Sequence, residues 1–174
     1  MRKIAQSSHD LKWAEVSAQR HELRSGDELA ATLEFQSRLG TLAKAESGDG
    51  GFTFKRIGFW QSRASIRAFD SDAEVALFTN ATWASGGTLE FPGGRRYKAT
   101  TNVWMTRFEF TSESEERLVG FDYGGFFRRR ADVELSPAAL QDPHLHLLVT
   151  FGWYLAIMLS NDAAALTAVT ATTS

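Results

Sequence analysis

The sequence predicts a mainly β domain: a closed antiparallel barrel with an apolar C-terminal helix buried at its centre. Three observations predict it. Turn-forming residues punctuate the chain at hairpin spacing from about residue 14 to 135. The runs between them are rich in β-branched and aromatic residues. A segment apolar on every face then follows near the C-terminus. With 174 residues the chain forms one domain, residues 1–174, and is long enough to bury a real core.

Ser25-Gly26-Asp27 divides a run from Glu15 to Leu23 from a second, Leu29 to Phe35. Gly48-Asp49-Gly50-Gly51 separates Thr41 to Ala45 from Phe52 to Ile57, and Asp70-Ser71-Asp72 separates Ala64 to Phe69 from Glu74 to Phe78. Pro92-Gly93-Gly94 divides Thr88 to Phe91 from Arg96 to Thr100. Ser112 to Glu116 divides Trp104 to Phe110 from Leu118 to Tyr123. Trp104, Thr106, Phe108 and Phe110 alternate with Met105, Arg107 and Glu109, which is the pattern of a strand with one buried face. Roughly ten to twelve strands result, too many for one flat sheet, so the sheet closes or packs in two layers. A faint repeat runs through them. Asp27-Glu28-Leu29-Ala30 with Gly40-Thr41-Leu42 is echoed by Ala73-Glu74-Val75-Ala76 with Gly87-Thr88-Leu89, and Glu116-Arg117-Leu118-Val119-Gly120 is a degenerate third start. Duplication of a multi-strand unit and shared hairpin chemistry account for it equally well.

Ser136-Pro137 breaks the β pattern, and Pro143 suits the first turn of a helix, where its missing N–H costs nothing. The run from Leu147 to Leu159, ended by Ser160-Asn161-Asp162, has no polar stripe to turn toward water. It is shorter than the ~20 apolar residues of a membrane span and has no flanking basic cluster. Burial in protein is the remaining solution. A helix over about 143–160 would be roughly 25 Å long, the height of a barrel with strands of about six to eight residues. Residues 163–174 are expected to add a turn or two and then fray as an Ala/Thr-rich tail.

A net charge of -2 argues against a nucleic-acid binder, which carries a basic excess. The absence of cysteine removes disulfides, thiolate nucleophiles and cysteine-ligated zinc together. Met1 to Asp10 lacks the apolar core of a signal peptide, so the expected location is cytoplasmic and the expected protein is not transmembrane. There is no G-x-S-x-G, Walker A, dinucleotide or H-E-x-x-H signature, so no catalytic residue and no cofactor is expected. Gly48-Asp49-Gly50-Gly51 lacks the Lys-Ser/Thr of a phosphate loop and reads as a plain turn. His144 and His146 are two apart, the wrong spacing for two metal ligands on one helical face, so a capping or solvent-facing role is expected.

The arginines are the one feature that suggests a ligand. Arg56, Arg63 and Arg67 lie on neighbouring strands, Arg95, Arg96 and Lys98 on one hairpin, and Arg128-Arg129-Arg130 near the last strand. Guanidinium forks suit phosphate oxygens, so Arg56, Arg63, Arg95, Arg96 and Arg128 are the candidates for an anion or lipid-headgroup site. Cross-strand pairing with Glu74, Glu90, Glu109 and Glu134 is the competing explanation. Trp60 and Trp83, both near loops, are candidates either for membrane-edge anchors or for rim packing.

Many strands followed by one helix apolar on all sides resembles the superfamily of tubby C-terminal domains, LURP-one-related proteins and phospholipid scramblases. The likeness is carried by Phe52-Thr53-Phe54-Lys55-Arg56-Ile57-Gly58-Phe59, Gly86-Gly87-Thr88-Leu89, Arg95-Arg96-Tyr97, Asn102-Val103-Trp104 and Leu147 to Leu155, and it spans about residues 14–159. The resemblance implies a closed barrel of about twelve strands around a central helix. It also implies a non-enzymatic binding or scaffold module, with anionic phospholipid as the leading ligand class. It carries over no site residue by residue. A protein-interaction module without lipid affinity, and a lipocalin-like hollow barrel binding a small apolar ligand, are the alternatives.

Overall fold

In a computed structural model of the chain, twelve strands precede one long helix. The structure describes residues 1–7, 10–58, 63–69, 73–82, 86–104, 106–123 and 130–171, with helix side chains described as far as Asp162. The strands are β1 (Leu11–Ser17), β2 (Arg20–Ser25), β3 (Glu28–Phe35), β4 (Ala43–Ser47), β5 (Gly50–Ile57) and β6 (Arg63–Ala68). They continue as β7 (Glu74–Thr82), β8 (Gly86–Glu90), β9 (Arg96–Thr101), β10 (Arg107–Thr111), β11 (Arg117–Asp122) and β12 (Arg130–Leu135), and the helix is α1 (Leu145–Ala171). Each strand pairs antiparallel with the next in the chain, and β12 closes on β1 with Leu11 opposite Val133 and Trp13 opposite Ala131. The predicted closed antiparallel barrel with a central helix is the observed fold.

Period-two alternation explains the wall. Tyr97 and Ala99 of β9, Phe108 and Phe110 of β10, and Ala43 and Ala45 of β4 all turn inward and are buried. The helix fills the interior: every residue from Leu147 to Met158 is buried. Gly152 lies where α1 comes nearest the wall. A Cβ built there would stand 2.4 Å from the Phe121 ring and 3.1 Å from that of Phe110.

Strict hairpin connectivity gives the barrel two distinct ends. The β2–β3, β4–β5, β6–β7, β8–β9 and β10–β11 connections lie at the end where α1 enters. The β1–β2, β3–β4, β5–β6, β7–β8, β9–β10 and β11–β12 connections lie at the end where it leaves. A 3-10 turn, Ile4–Ser7, covers the entry end, with Ile4 fully buried and its N–H donated to the Asp49 carboxylate at 3.1 Å.

The local boundaries differ from the sequence reading in three places. The run from Glu15 to Leu23 holds the β1–β2 hairpin, which turns at Ala18-Gln19 without glycine or proline. Strand β10 begins at Arg107, so Trp104 belongs to the connection before it and is 84% exposed rather than aligned with Phe108. The helix starts at Leu145, just after Pro143, and its backbone continues through Ser160-Asn161-Asp162 to Ala171. The three segments of the faint repeat open β3, β7 and β11, four strands apart.

Candidate functional site

With α1 in the lumen, the space left among the described residues lies at the exit end, where a pocket of about 220 Å³ opens between α1 and the β1–β2 and β3–β4 hairpins, lined by His21, Phe35, Arg38 and Ile157. Between the last buried turn of α1 and β5, β6, β7, β8 and β10 there remains a cavity of about 40 Å³, enough for a few water molecules. Its polar rim is Arg56, Arg63, Asn80 and Asp162.

Arg56 points inward because it continues the inward series of Phe52 and Phe54 along β5. Its guanidinium donates to both carboxylate oxygens of Asp162, at 2.8 and 2.9 Å. The inward-facing candidate is therefore a clasp on the emerging helix. Beside it the Tyr154 hydroxyl donates to the Thr41 carbonyl at 2.7 Å, and burial pushes the Tyr154 pKa up. Arg63 opens β6 at this same exit end. Arg95 and Arg96 sit at the entry end. Arg95 lies 3.5 Å from Asp142 and over the Tyr97 ring, and Arg96 lies 2.9 Å from Glu90. The structure thus brings Arg56 and Arg63 together and holds Arg95 and Arg96 at the opposite end. Arg128, Trp60 and Trp83 lie outside the described residues.

The two histidines at the helix start are packed against aromatic rings. His144 stacks on Phe91 with centroids 3.9 Å apart, and His146 stacks on Phe52 at 5.0 Å. Burial lowers the pKa of both. Asp142 supplies the polar cap, accepting the His144 N–H at 2.8 Å and the Tyr97 hydroxyl at 2.8 Å.

The feature that sets one region apart is the composition of the connections. Among the described residues, those at the entry end hold Asp27, Asp49, Glu113, Glu115 and Glu116 against one base, Arg95. Among the described residues, those at the exit end hold one base, Arg38, and no acid. Most of the exposed large apolar side chains follow the same division; the exceptions are Met1 at the N-terminus, 56% exposed, and Phe69 in the β6–β7 connection at the entry end, 38% exposed. Leu39 is 100% exposed, Val103 93% and Trp104 84%, with Val16 and Ile57 about half exposed, and all belong to the exit end. Arg38, next to Leu39, has no ion-pair partner among the described residues. The Val103-Trp104 tip is held in shape by Asn102. Its side-chain oxygen accepts the N–H of Thr106 at 2.8 Å and of Arg107 at 3.0 Å, and its amide donates to the Thr106 hydroxyl at 2.9 Å.

No family model, curated protein or solved structure matches this chain. Among the described residues, no helix is long and apolar enough to cross a membrane, and no group of metal-ligating side chains converges.

Arg56, Arg63, Arg95, Arg96 and Arg128 stand out in the sequence by residue type. Arg38, Leu39, Val103 and Trp104 were missed because their significance is positional. The signal was nonetheless in the chain. Once consecutive hairpins are assumed, every second connection falls at one end, and charge sorts by that alternation.

Proposed function

We propose that the domain is a tubby-like, non-enzymatic binding module that presents its helix-exit end to an anionic phospholipid surface. The segregation of charge between the two ends carries this reading. A net charge of -2 gives the whole molecule little attraction or repulsion, but an acidic end opposite a basic one orients it in the field of an anionic membrane. Each arginine near such a surface contributes about 1 kcal/mol, and the effect fades over a Debye length of ~10 Å. The resemblance to the tubby, LURP-one-related and scramblase superfamily supports the reading in kind, through strand number and the central helix. The filled lumen counts against the hollow-barrel alternative.

Liposome flotation tests it, comparing neutral with phosphoinositide-containing vesicles at low and physiological salt. The expected result is binding to anionic vesicles that weakens with salt and falls sharply in Arg38→Glu. Arg96→Glu, at the acidic end, leaves it unchanged. Failure to bind either vesicle at low salt would remove the lipid reading and leave a protein-interaction scaffold.

A further inference from the structure

The basic end is also the end that exposes the three most exposed large apolar side chains, Leu39, Val103 and Trp104, and that coincidence extends the proposal above. We infer that the β3–β4 and β9–β10 connections at the exit end insert into the interfacial layer of the bilayer, with Leu39 and Trp104 as the principal anchors. The barrel then stands on the membrane with the exit end of α1 directed at it. The inference rests on the proposed lipid reading for its occupant, but the observation behind it, apolar exposure, is independent of charge.

Leu39, Ile57 and the Val103-Trp104 pair lie on three different hairpins around one rim, and Val16 lies beside a fourth. A protein-binding groove gathers its apolar residues into one contiguous, pocketed patch. Single side chains spread round a ring are instead met all at once by a flat layer. Tryptophan is enriched at membrane interfaces, where its ring is buried in the apolar boundary while its N–H reaches water or headgroups. Arg38 beside Leu39 supplies the matching pair of a cation at headgroup level and an aliphatic side chain below it. The Asn102 hydrogen bonds fix the Trp104 hairpin beforehand, so little ordering is left to be done on insertion. A second copy docked by the same rim would bring two basic ends together, which charge disfavours.

The test uses the whole chain with phosphatidylserine–phosphatidylcholine vesicles, plain or carrying bromine-labelled acyl chains. A Trp60→Phe, Trp83→Phe background is compared with and without Trp104→Phe, and wild type with the double variant Trp104→Ala, Leu39→Ser. Leu39 and Trp104 are exposed, so changes there keep the circular dichroism of the parent chain. The expected result is bromine quenching in the Trp60→Phe, Trp83→Phe background that a further Trp104→Phe largely abolishes, although that variant still binds. The double variant loses about ten- to a hundredfold in vesicle affinity at physiological salt and keeps its low-salt binding. Binding without quenching, with the double variant binding as wild type, would overturn insertion and leave the charge reading standing. Quenched, salt-independent binding to neutral vesicles would sustain insertion and remove the charge reading. Self-association without vesicles, abolished by Trp104→Ala, would assign the rim to a second copy and overturn the inference.

Discussion

Trp13 of β1 and Trp153 of α1 lie parallel and offset, with ring centroids 6.0 Å apart and planes 7° from parallel. His21 of β2 meets the same Trp153 indole edge-on at 5.8 Å. These contacts fasten the first hairpin of the wall to the helix it encloses, and both indoles are fully buried. Trp153→Asp is expected to yield no folded monomer, because an unpaired carboxylate at this depth costs several kcal/mol. Trp153→Phe keeps the fold with a loss of about 1–2 kcal/mol. Circular dichroism and size-exclusion chromatography distinguish the two. A folded, monomeric Trp153→Asp would contradict the buried helix.

Gly152 sets two effects against each other. Alanine is the better helix former by about 1 kcal/mol, but its Cβ would stand 2.4 Å from the Phe121 ring. Overpacking a filled core costs about 1–3 kcal/mol, so packing wins. Gly152→Ala is expected to lower the urea midpoint and Gly152→Val to lower it further. A rise in either would place the helix farther from β11 than described.

The Arg56–Asp162 pair joins the wall to the last described turn of α1, with side chains 19% and 27% exposed. Such partial burial retains more of the attraction than a surface pair does. A double-mutant cycle with Arg56→Gln and Asp162→Asn is expected to give a coupling of about 1–2 kcal/mol. A coupling near zero would mean that solvent competes fully for both groups.

His21 is buried between Phe35 and Trp153, and burial lowers its pKa from the ordinary imidazole value of 6.5 to about 4. The unfolded chain therefore takes up a proton as pH falls below about 6.5, while the folded chain resists until about 4. Stability drops across that window by about 3 kcal/mol at most from this residue, and is fully retained above it. His144 and His146, also lowered, act in the same direction. Thermal melts from pH 7 to 4 are expected to fall less steeply for His21→Leu than for wild type. Equal slopes would show that His21 is protonated without cost.

The architecture was legible because its two strongest patterns are global. Alternation at Phe108 and Phe110 marks an inward face whatever the exact strand ends. A run such as Leu147 to Leu159, with no polar stripe, has few places to go but a lumen. Local boundaries were less legible. Ala18-Gln19 makes a turn without turn residues, because pairing of β1 with both β2 and β12 imposes the hairpin. Trp104 continues the alternation of β10 in sequence, yet Asn102 takes up the N–H groups of Thr106 and Arg107 and starts the strand later. The fate of the arginines was not legible at all. Arg56 and Arg95 look alike in sequence, and only the direction of α1 separates the clasp on Asp162 from the pairing with Asp142.

Strand order that follows chain order has a consequence for how the molecule is made. Each hairpin can form from neighbouring residues as soon as it is synthesised, so most of the wall depends on short-range pairing. The ring cannot shut until β12 meets β1, and the segment that fills it is synthesised after both. A nascent meander therefore carries an uncovered apolar face, and α1 must be laid against that face before the last seam zips. The seam between Leu11 and Val133 is the latch, and whatever delays it leaves the greasy side of the ribbon open to other chains.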